Sequence, residues 1–535
     1  MSTAGAFARP YRRSSDQDRA NPARHPVVIV GGGPVGLALA ADLGGRGVAC
    51  VVVDGKAEFG EGSRGLCYAK RTLEILDRLG VGERAVEKGV TWQLGKVFHG
   101  EKLLYQFNLL PEGGHKMPAF INLQQYYLEQ FLYERCLDLP HVDLRFQNRC
   151  TAVTSFADHA RIELATPDGP YTLEADWLIA CDGSRSLVRQ QLGLAFEGRV
   201  FEDRFLIADV KMPADYPAER WFWFDPPFNP GQSALLHKQP DDIWRIDLQL
   251  GWDADPAEER KPERVRPRLE AMLGKERPFE FEWISIYTFQ CRRLARFVHG
   301  PVIFAGDAAH LVSPFGARGF NSGVQDVDNL AWKLAAVLAG QAPAALLATY
   351  GLEREAAADE NLLNSSRSTD FITPKSPASH GLRDAALSLA AEAPFARSLV
   401  NSGRLSTPTV YDSPLTTPDA DGFAGTARLG APLPDAPLRD QDGRSTWLLD
   451  WLGPRFTLLY CGEDLACQLP GTTRLVRIGH DVTDAEGLFQ QRYDAQPGSA
   501  WLVRPDQHLT ARFRRVGEAA LAAATQRALG WELRP

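Results

Sequence analysis

The chain of 535 residues carries 59 Lys and Arg against 67 Asp and Glu, a net charge of -8, with 44% hydrophobic and 24% charged residues. This is the balance of an ordinary soluble globular protein: it offers no cationic footprint for nucleic acid, and no apolar run reaches the roughly 18 residues a membrane helix needs. The length exceeds one ordinary domain and predicts about three, interleaved or in series.

The first two dozen residues, MSTAGAFARPYRRSSDQDRANPAR, lack the apolar stretch of a secretory signal, and their Asp and Pro content predicts a disordered tail over 1–24. In HPVVIVGGGPVGLALAADLGGRGVACVVVDGK, Val27 to Val30 read as a buried parallel strand and Leu37, Ala40 and Leu43 as one face of a helix. Ala49 to Val53 make the next strand, which completes a βαβ unit. Helical spacing returns at Lys70 to Leu79 and Leu123 to Cys136, and alternation from Arg149 to Ile179 predicts a meander. Ala175 to Ala180 form a strand that enters CDGSRSLVRQQLG. Aromatic-rich alternation from Phe205 to Thr288, including WFWF at 221 to 224, predicts a separate, mostly antiparallel sheet. Pro301 to Ala305 resume the buried-strand pattern ahead of GDAAHLVSPFGARGFNSG, and Val324 to Leu338 read as helix. Pro, Ser and Thr mark 371–425 as helix and linker, and strand-like FTLLYC and SAWLVRP fall in a last unit, 426–535. The eight cysteines, at 50, 67, 136, 150, 181, 291, 461 and 467, include no CxxC pair and no metal-ligand spacing. They predict free thiols in a reducing cytoplasm and no metal site.

Gly31, Gly33 and Gly36 form a G-x-G-x-x-G turn that encloses Pro34 and Val35, set between strand and helix with Asp54 ending the second strand. The first glycine serves the tight turn, the second the approach of a pyrophosphate, the third close packing, and the acid can take ribose hydroxyls. Two further loops, DGSRSLVR from Asp182 and Gly183, and the stretch from Gly306 and Asp307, also follow buried strands, so all three should emerge at one edge of one sheet.

Together the three motifs resemble the fingerprint set of the single-component FAD-dependent aromatic hydroxylases, the p-hydroxybenzoate hydroxylase and phenol hydroxylase family, from about His25 to Glu360. The length, the tail and SRSTDFITPKS resemble the 3-(3-hydroxyphenyl)propionate hydroxylase type. The resemblance implies an α/β fold: a Rossmann-like FAD-binding domain (25–95, 120–199 and 296–370) interleaved with a mostly antiparallel substrate domain (96–119 and 200–295), and a thioredoxin-like C-terminal domain. It also implies that Asp307 holds the ribityl chain, that Gly316, Gly319, Phe320 and Asn321 line the flavin ring, and that Arg64 and Gln125 lie near the FAD, with Gln124 as the one-residue alternative.

The implied reaction is hydroxylation of a phenolic substrate, ortho to an existing hydroxyl, by O2 and NADH or NADPH through a flavin hydroperoxide, in a cytoplasmic homodimer without nucleic acid or membrane partners. The single Rossmann signature leaves nicotinamide to bind transiently. Pro314 matches a proline beside flavin and substrate, whereas His237, Tyr287 and Arg245 are candidates on the sheet for substrate contact or phenol deprotonation. His310 reads as structural. Two departures from the family pattern stand out: DGK follows the second strand where the family has an acid and arginine, and GARG replaces GGQG. The second puts Arg318 near the flavin, as a charge for reduced flavin or as a solvated loop residue. The alternatives are a flavin oxidoreductase that inserts no oxygen and, from the likeness of WFWFDP to a W-x-W-x-I-P motif, a flavin-dependent halogenase.

Overall fold

A computed structural model describes residues 8–60, 65–400, 405–419 and 422–533. The unbroken apolar run that ends strand Ala23–Val30 is buried because the strand lies mid-sheet, parallel to Cys50–Asp54 on one side and Gly169–Ala180 on the other. Val142–Phe146 and Val302–Phe304 extend the parallel sheet outwards. The first of these strands has no counterpart in the sequence reading, since VDLRF is short and its polar residues mask the pattern. Helix Pro34–Gly45 packs against Gln125–Leu137 and Gly319–Leu338, so that Val27, Val28 and Ile29 lose all solvent contact. The expected meander is the antiparallel pair Arg149–Ser155 and Ala160–Thr166, joined to Gly169–Ala180.

A second sheet of eight strands runs in the order His310–Leu311, Glu280–Leu294, Phe196–Lys211, Ile243–Leu250, Ser233–Lys238, Arg220–Phe224, Leu94–His99, Lys102–Asn108. Only the pairing of Arg220–Phe224 with Leu94–His99 is parallel. Trp221 and Trp223 pack with Phe98, Tyr216 and Phe228 on one face while Phe222 and Phe224 enter the core on the other. The WFWF alternation is therefore sheet packing. A small third sheet, Cys67–Ala69, Phe120–Asn122 and Val90–Trp92, meets the second where Asn122 donates to the Lys238 carbonyl (2.8 Å).

The disordered tail expected over 1–24 needs correction for its described part. Arg9 is 2% exposed and donates from Nη1 to the Gly32 carbonyl (3.0 Å) and from Nη2 to Glu129 (3.1 Å), and Ser14 with Gln17 forms a capping box. Long-range ion pairing, invisible in composition, fixes this segment. Of the helix and linker expected over 371–425 the helix is present, and the stretch beyond it is packed. Helices Ala348–Ile372 and Pro377–Glu392 cover its first part, and Tyr411 and Leu415 are buried beyond them.

The last unit is a seven-stranded sheet whose centre pairs Phe456–Cys461 in parallel with Thr473–Ile478 and antiparallel with Ala500–Val503. It shares a core with the first unit: Trp332 and Leu346 pack in one cluster with Leu415, Leu458, Leu502 and Leu521. Among the described residues no helix is long and apolar enough to cross a membrane.

Candidate active site

The register aligns Val30 with Ala180 and Ala180 with Phe304, so the three glycine-rich loops leave one sheet edge at the same level. They interlock there. A Cβ on Gly31, where φ is +110°, would fall 2.3 Å from the Cys181 carbonyl oxygen, directly before Asp182; one on Gly36 would fall 1.9 Å from the Gly31 oxygen. Only glycine permits this packing. Val35 fills the space beside Gly306 and Gly323, which ties the first loop to the third. Arg189 closes the ring by donating to the carbonyls of Ala308 (3.2 Å) and Ser184 (2.7 Å).

What the loops enclose is polar and open. Apart from its chain neighbours, no atom of the described residues lies within 4 Å of where a Gly33 Cβ would stand, at the cap of helix Pro34–Gly45. Free amides at such a terminus suit phosphate. Asp307 is exposed to solvent, yet the surrounding protein crowds it and raises its carboxyl above the ordinary value, with His310 opposing the rise. An exposed carboxylate enclosed by protein is a carboxylate facing a cleft. Behind it, Asp326 accepts from the Gly306 amide (2.9 Å) and Arg354 Nε (2.7 Å) and pairs with His310 Nε2 (2.7 Å). Burial pushes the Asp326 carboxyl up, but His310 and Arg354 hold it at about 2. His310 is thereby committed to the loop's support, in the structural role expected for it.

Asp54 departs from the simple ribose reading. Its two oxygens accept the amides of Gly32 and Lys56, both at 2.8 Å, so the carboxylate also shapes the turn. Asp182 accepts the Val188 amide through Oδ2 (3.1 Å), while Oδ1 is buried and finds no hydrogen-bond partner among the described residues; burial raises its pKa. Gly183 takes the φ of +80° that turns the loop. Gln125 accepts the Gly65 amide (2.9 Å) and donates to Glu129 (2.7 Å), whereas Gln124 turns away to the Pro240 carbonyl (3.2 Å). Arg64 lies outside the described residues.

In the third loop Gly316 has φ +100°, Phe320 sits edge-on to Tyr68 at 5.2 Å, and Asn321 bridges to the Ala69 amide (2.9 Å) and Cys67 carbonyl (2.8 Å). Gly319 begins helix Gly319–Leu338 and Pro314 is exposed. Arg318 is 3% exposed and donates from Nη1 to the Phe315 carbonyl (3.0 Å). It is therefore not the solvated loop residue that was one of its two readings.

The substrate-side candidates separate. His237 and Arg245 are buried and face each other across paired strands, while Tyr287 is 44% exposed. Burial, reinforced by Arg220 and Arg245, holds the His237 pKa well below its usual value. A neutral imidazole between two guanidiniums is a poor proton acceptor and a serviceable hydrogen-bond partner. The sequence reading omits Arg220, Asn122 and Arg9 from the site's surroundings. The available signal for Arg220 was a charge in phase with the buried Phe222 and Phe224.

Exposed Asp307, the unpartnered Asp182 oxygen and the open approach at Gly33 fit a dinucleotide with a polyhydroxyl chain. The FAD binding domain family matches residues 24–365. This chain belongs to that family. Over 506 residues it is 30% identical to the 12-dehydrotetracycline 5-monooxygenase/anhydrotetracycline 6-monooxygenase of Streptomyces rimosus, covering 91% of this chain and 95% of that one. It is 27% identical over 508 residues to a 3-(3-hydroxy-phenyl)propionate/3-hydroxycinnamic acid hydroxylase of a Mycobacterium species, covering 90% and 88%. Its fold matches that of the flavin-dependent monooxygenase PieE, solved with FAD and substrate, at TM-score 0.81 and 23% identity over 95% of this chain and all of that one. The chain is an FAD-dependent monooxygenase.

Proposed function

We infer that this enzyme hydroxylates a phenolic substrate ortho to an existing hydroxyl, with NADH or NADPH as electron donor. The observation that supports this most is the register that brings the three loops to one edge, beside a sheet whose facing residues include His237 and Arg245. Bound FAD supplies the redox chemistry, taking electrons from nicotinamide and activating O2. Asp307 binds the ribityl hydroxyls, the helix Pro34–Gly45 receives the pyrophosphate at its amino end, and the segment Gly316–Asn321 lines the ring. Pro314 and Tyr287 border the substrate. His237 orients the phenol by hydrogen bonding, and the buried wall of Trp92 and Phe120 keeps water from the reacting atoms.

Substrate-stimulated NAD(P)H oxidation with oxygen-18 from O2 in the phenolic product supports the reading; turnover of the same phenols without O2 overturns it. The cofactor is held without a covalent bond, so denaturation should release all flavin into the supernatant, and flavin that stays with the precipitated chain would contradict this.

Arg318 gives a sharper test. Its guanidinium, held against the loop by the Phe315 carbonyl, would supply a positive charge beside a bound flavin and favour its reduced, anionic form. Arg318→Ala should retain stoichiometric FAD but slow anaerobic reduction and lower the flavin potential. A stopped-flow rate within about twofold of wild type, under roughly 0.4 kcal/mol of barrier, would remove it from the mechanism.

A further inference from the structure

The family domain begins at residue 24, yet the segment before it is built into the glycine-rich loops. Arg9 donates its backbone amide to the Ala57 carbonyl (2.7 Å) and Ala8 bridges to Glu58, so the segment runs beside the chain that leaves strand Cys50–Asp54. Its anchorage does not depend on the Arg9 side chain. Buried Asp16 accepts from Arg145 Nη2 (2.7 Å) and pairs with His25 Nε2 (2.8 Å), residues of two strands of the parallel sheet, and the Tyr11 hydroxyl bonds to Thr166 (3.2 Å) and Asp168 (3.0 Å).

The Arg9 guanidinium lies over the rings of Phe59, 4.0 Å from the ring centre, and Phe146, at 4.7 Å. Packing alone does not call for an arginine here, because a hydrocarbon side chain would fill such a space without burying a charge. Burial lowers the Arg9 pKa, against the pull of Glu129 and Asp54. What the charge holds is backbone. Nη1 donates to the Gly32 carbonyl (3.0 Å), and Asp54 Oδ2 accepts the amide of the same residue (2.8 Å), so the peptide groups on both sides of Gly32 are fixed.

The second of these groups is the trans peptide that joins Gly32 to Gly33. In a planar trans peptide the C=O and the N–H point in opposite directions. With the carbonyl drawn to Arg9, the Gly33 amide faces away from the guanidinium at the amino end of helix Pro34–Gly45. That amide carries weight because the next residue is proline and has none to offer.

We propose that Arg9 is a positioning residue for FAD: by holding the Gly32 carbonyl it aims the Gly33 amide at the pyrophosphate, so that a segment outside the family domain sets cofactor affinity. The inference rests on the placement of the pyrophosphate at helix Pro34–Gly45 and is independent of the reaction catalysed. Arg9 has a second arm, from Nη2 to Glu129 (3.1 Å), whose other oxygen accepts from Gln125 (2.7 Å). The experiment separates the two arms.

The test is titration of flavin-stripped protein with FAD, together with the melting temperature of each flavin-free variant. Arg9→Met should bind FAD about tenfold more weakly, the scale of one charged hydrogen bond, and Arg9→Lys should keep part of the affinity. Glu129→Gln, which leaves the Gly32 contact in place, should bind FAD as wild type does. Because Arg9→Met alone strands the buried Glu129 carboxylate, the double variant Arg9→Met, Glu129→Gln is made as well. It should melt above Arg9→Met and show the same loss of FAD affinity.

FAD binding by the double variant within about twofold of wild type overturns the proposal, since that is far below the effect of one such bond. A loss confined to Arg9→Met, or a double variant that does not fold, marks an arginine serving the fold and overturns it too. An equal loss in Glu129→Gln would route the effect through Gln125 instead. Gly33→Ala tests the placement beneath the inference: φ is -78° and the new Cβ meets no atom of the described residues beyond its chain neighbours, so the flavin-free protein should melt as wild type while FAD binding falls. Unchanged FAD affinity in Gly33→Ala defeats the placement and the inference with it. Weakened binding in Gly33→Ala beside wild-type binding in Arg9→Met defeats the inference alone.

Discussion

Arg504→Leu should lose about 3–5 kcal/mol of stability, as expected for a broken buried ion pair, although Arg504 lies in the C-terminal unit far along the chain from its main partner. Its guanidinium forks onto Glu353, Nη1 to Oε1 at 2.7 Å and Nη2 to Oε2 at 3.0 Å, and Nε reaches Asp506 at 3.0 Å. Lys333 is the other cation of the group, 2.8 Å from Glu353, and all four side chains are 2% exposed or less. Leucine would leave the buried Glu353 carboxylate with Lys333 as its remaining cation, and Asp506 with only Trp332 Nε1 (3.0 Å) and His508 (3.4 Å). Burial already pulls the Lys333 pKa down to about 8, so that ammonium is itself held charged by its neighbours.

Urea unfolding of FAD-saturated protein measures the loss. Arg444→Leu, at an exposed ion pair with Asp442, is the comparison and should change stability by no more than about 1 kcal/mol. Equal behaviour of the two variants would show that the network contributes nothing. The pH dependence gives a second readout. Burial pushes the Glu353 carboxyl up, but Arg504 and Lys333 outweigh it and keep the pKa below the ordinary value. Its stabilisation is therefore complete above the unfolded carboxylate pKa of about 4.3 and fades as pH falls. That acid sensitivity should be smaller in Arg504→Leu.

The same network shows where sequence reading stops. The glycine turns, the buried strands and the helix from Val324 to Leu338 were legible because each is a local pattern, with Gly31 and Gly36 beside the atoms they must accommodate and Val27 to Val30 on consecutive positions; that the helix starts at Gly319, inside the glycine-rich stretch, was not. Arg9, Tyr411, Arg504 and Asp506 are polar residues in stretches whose composition suggests tail, linker or exposed surface. Their burial depends on partners 120 positions away for Arg9 with Glu129, 57 for Tyr411 with Arg354 and 151 for Arg504 with Glu353. No local window contains that information.

Arg220 is intermediate: alternation assigns it to the core face, and only the folded sheet shows that it stands buried beside His237. Tyr411 also links the units, since it hydrogen-bonds Arg354 at 2.9 Å and stacks on His508 at 4.6 Å between ring centres, while Arg354 holds Asp326 behind the Gly306 amide. The C-terminal unit thereby buttresses the loop that carries Asp307.

Asp307→Ala should weaken FAD binding ten- to a hundredfold, about the 1.5–3 kcal/mol of a charged hydrogen bond, because its carboxylate is assigned to the ribityl hydroxyls. The surroundings of Asp307 separate this from a loss of structure. Asp326 has hydrogen bonds to His310, Gly306 and Arg354, whereas crowding raises the Asp307 carboxyl and its negative neighbour Asp326 adds to the rise. A carboxylate so placed disfavours the empty protein. The flavin-free Asp307→Ala protein should accordingly melt no lower than flavin-free wild type, while the rise in melting temperature on adding FAD shrinks. Asp442→Ala, at an exposed position, should leave both quantities unchanged. Equal FAD affinity in the Asp307 and Asp442 variants would take Asp307 out of the cofactor site, and a lower melting temperature of the flavin-free Asp307 variant would assign it to the fold instead.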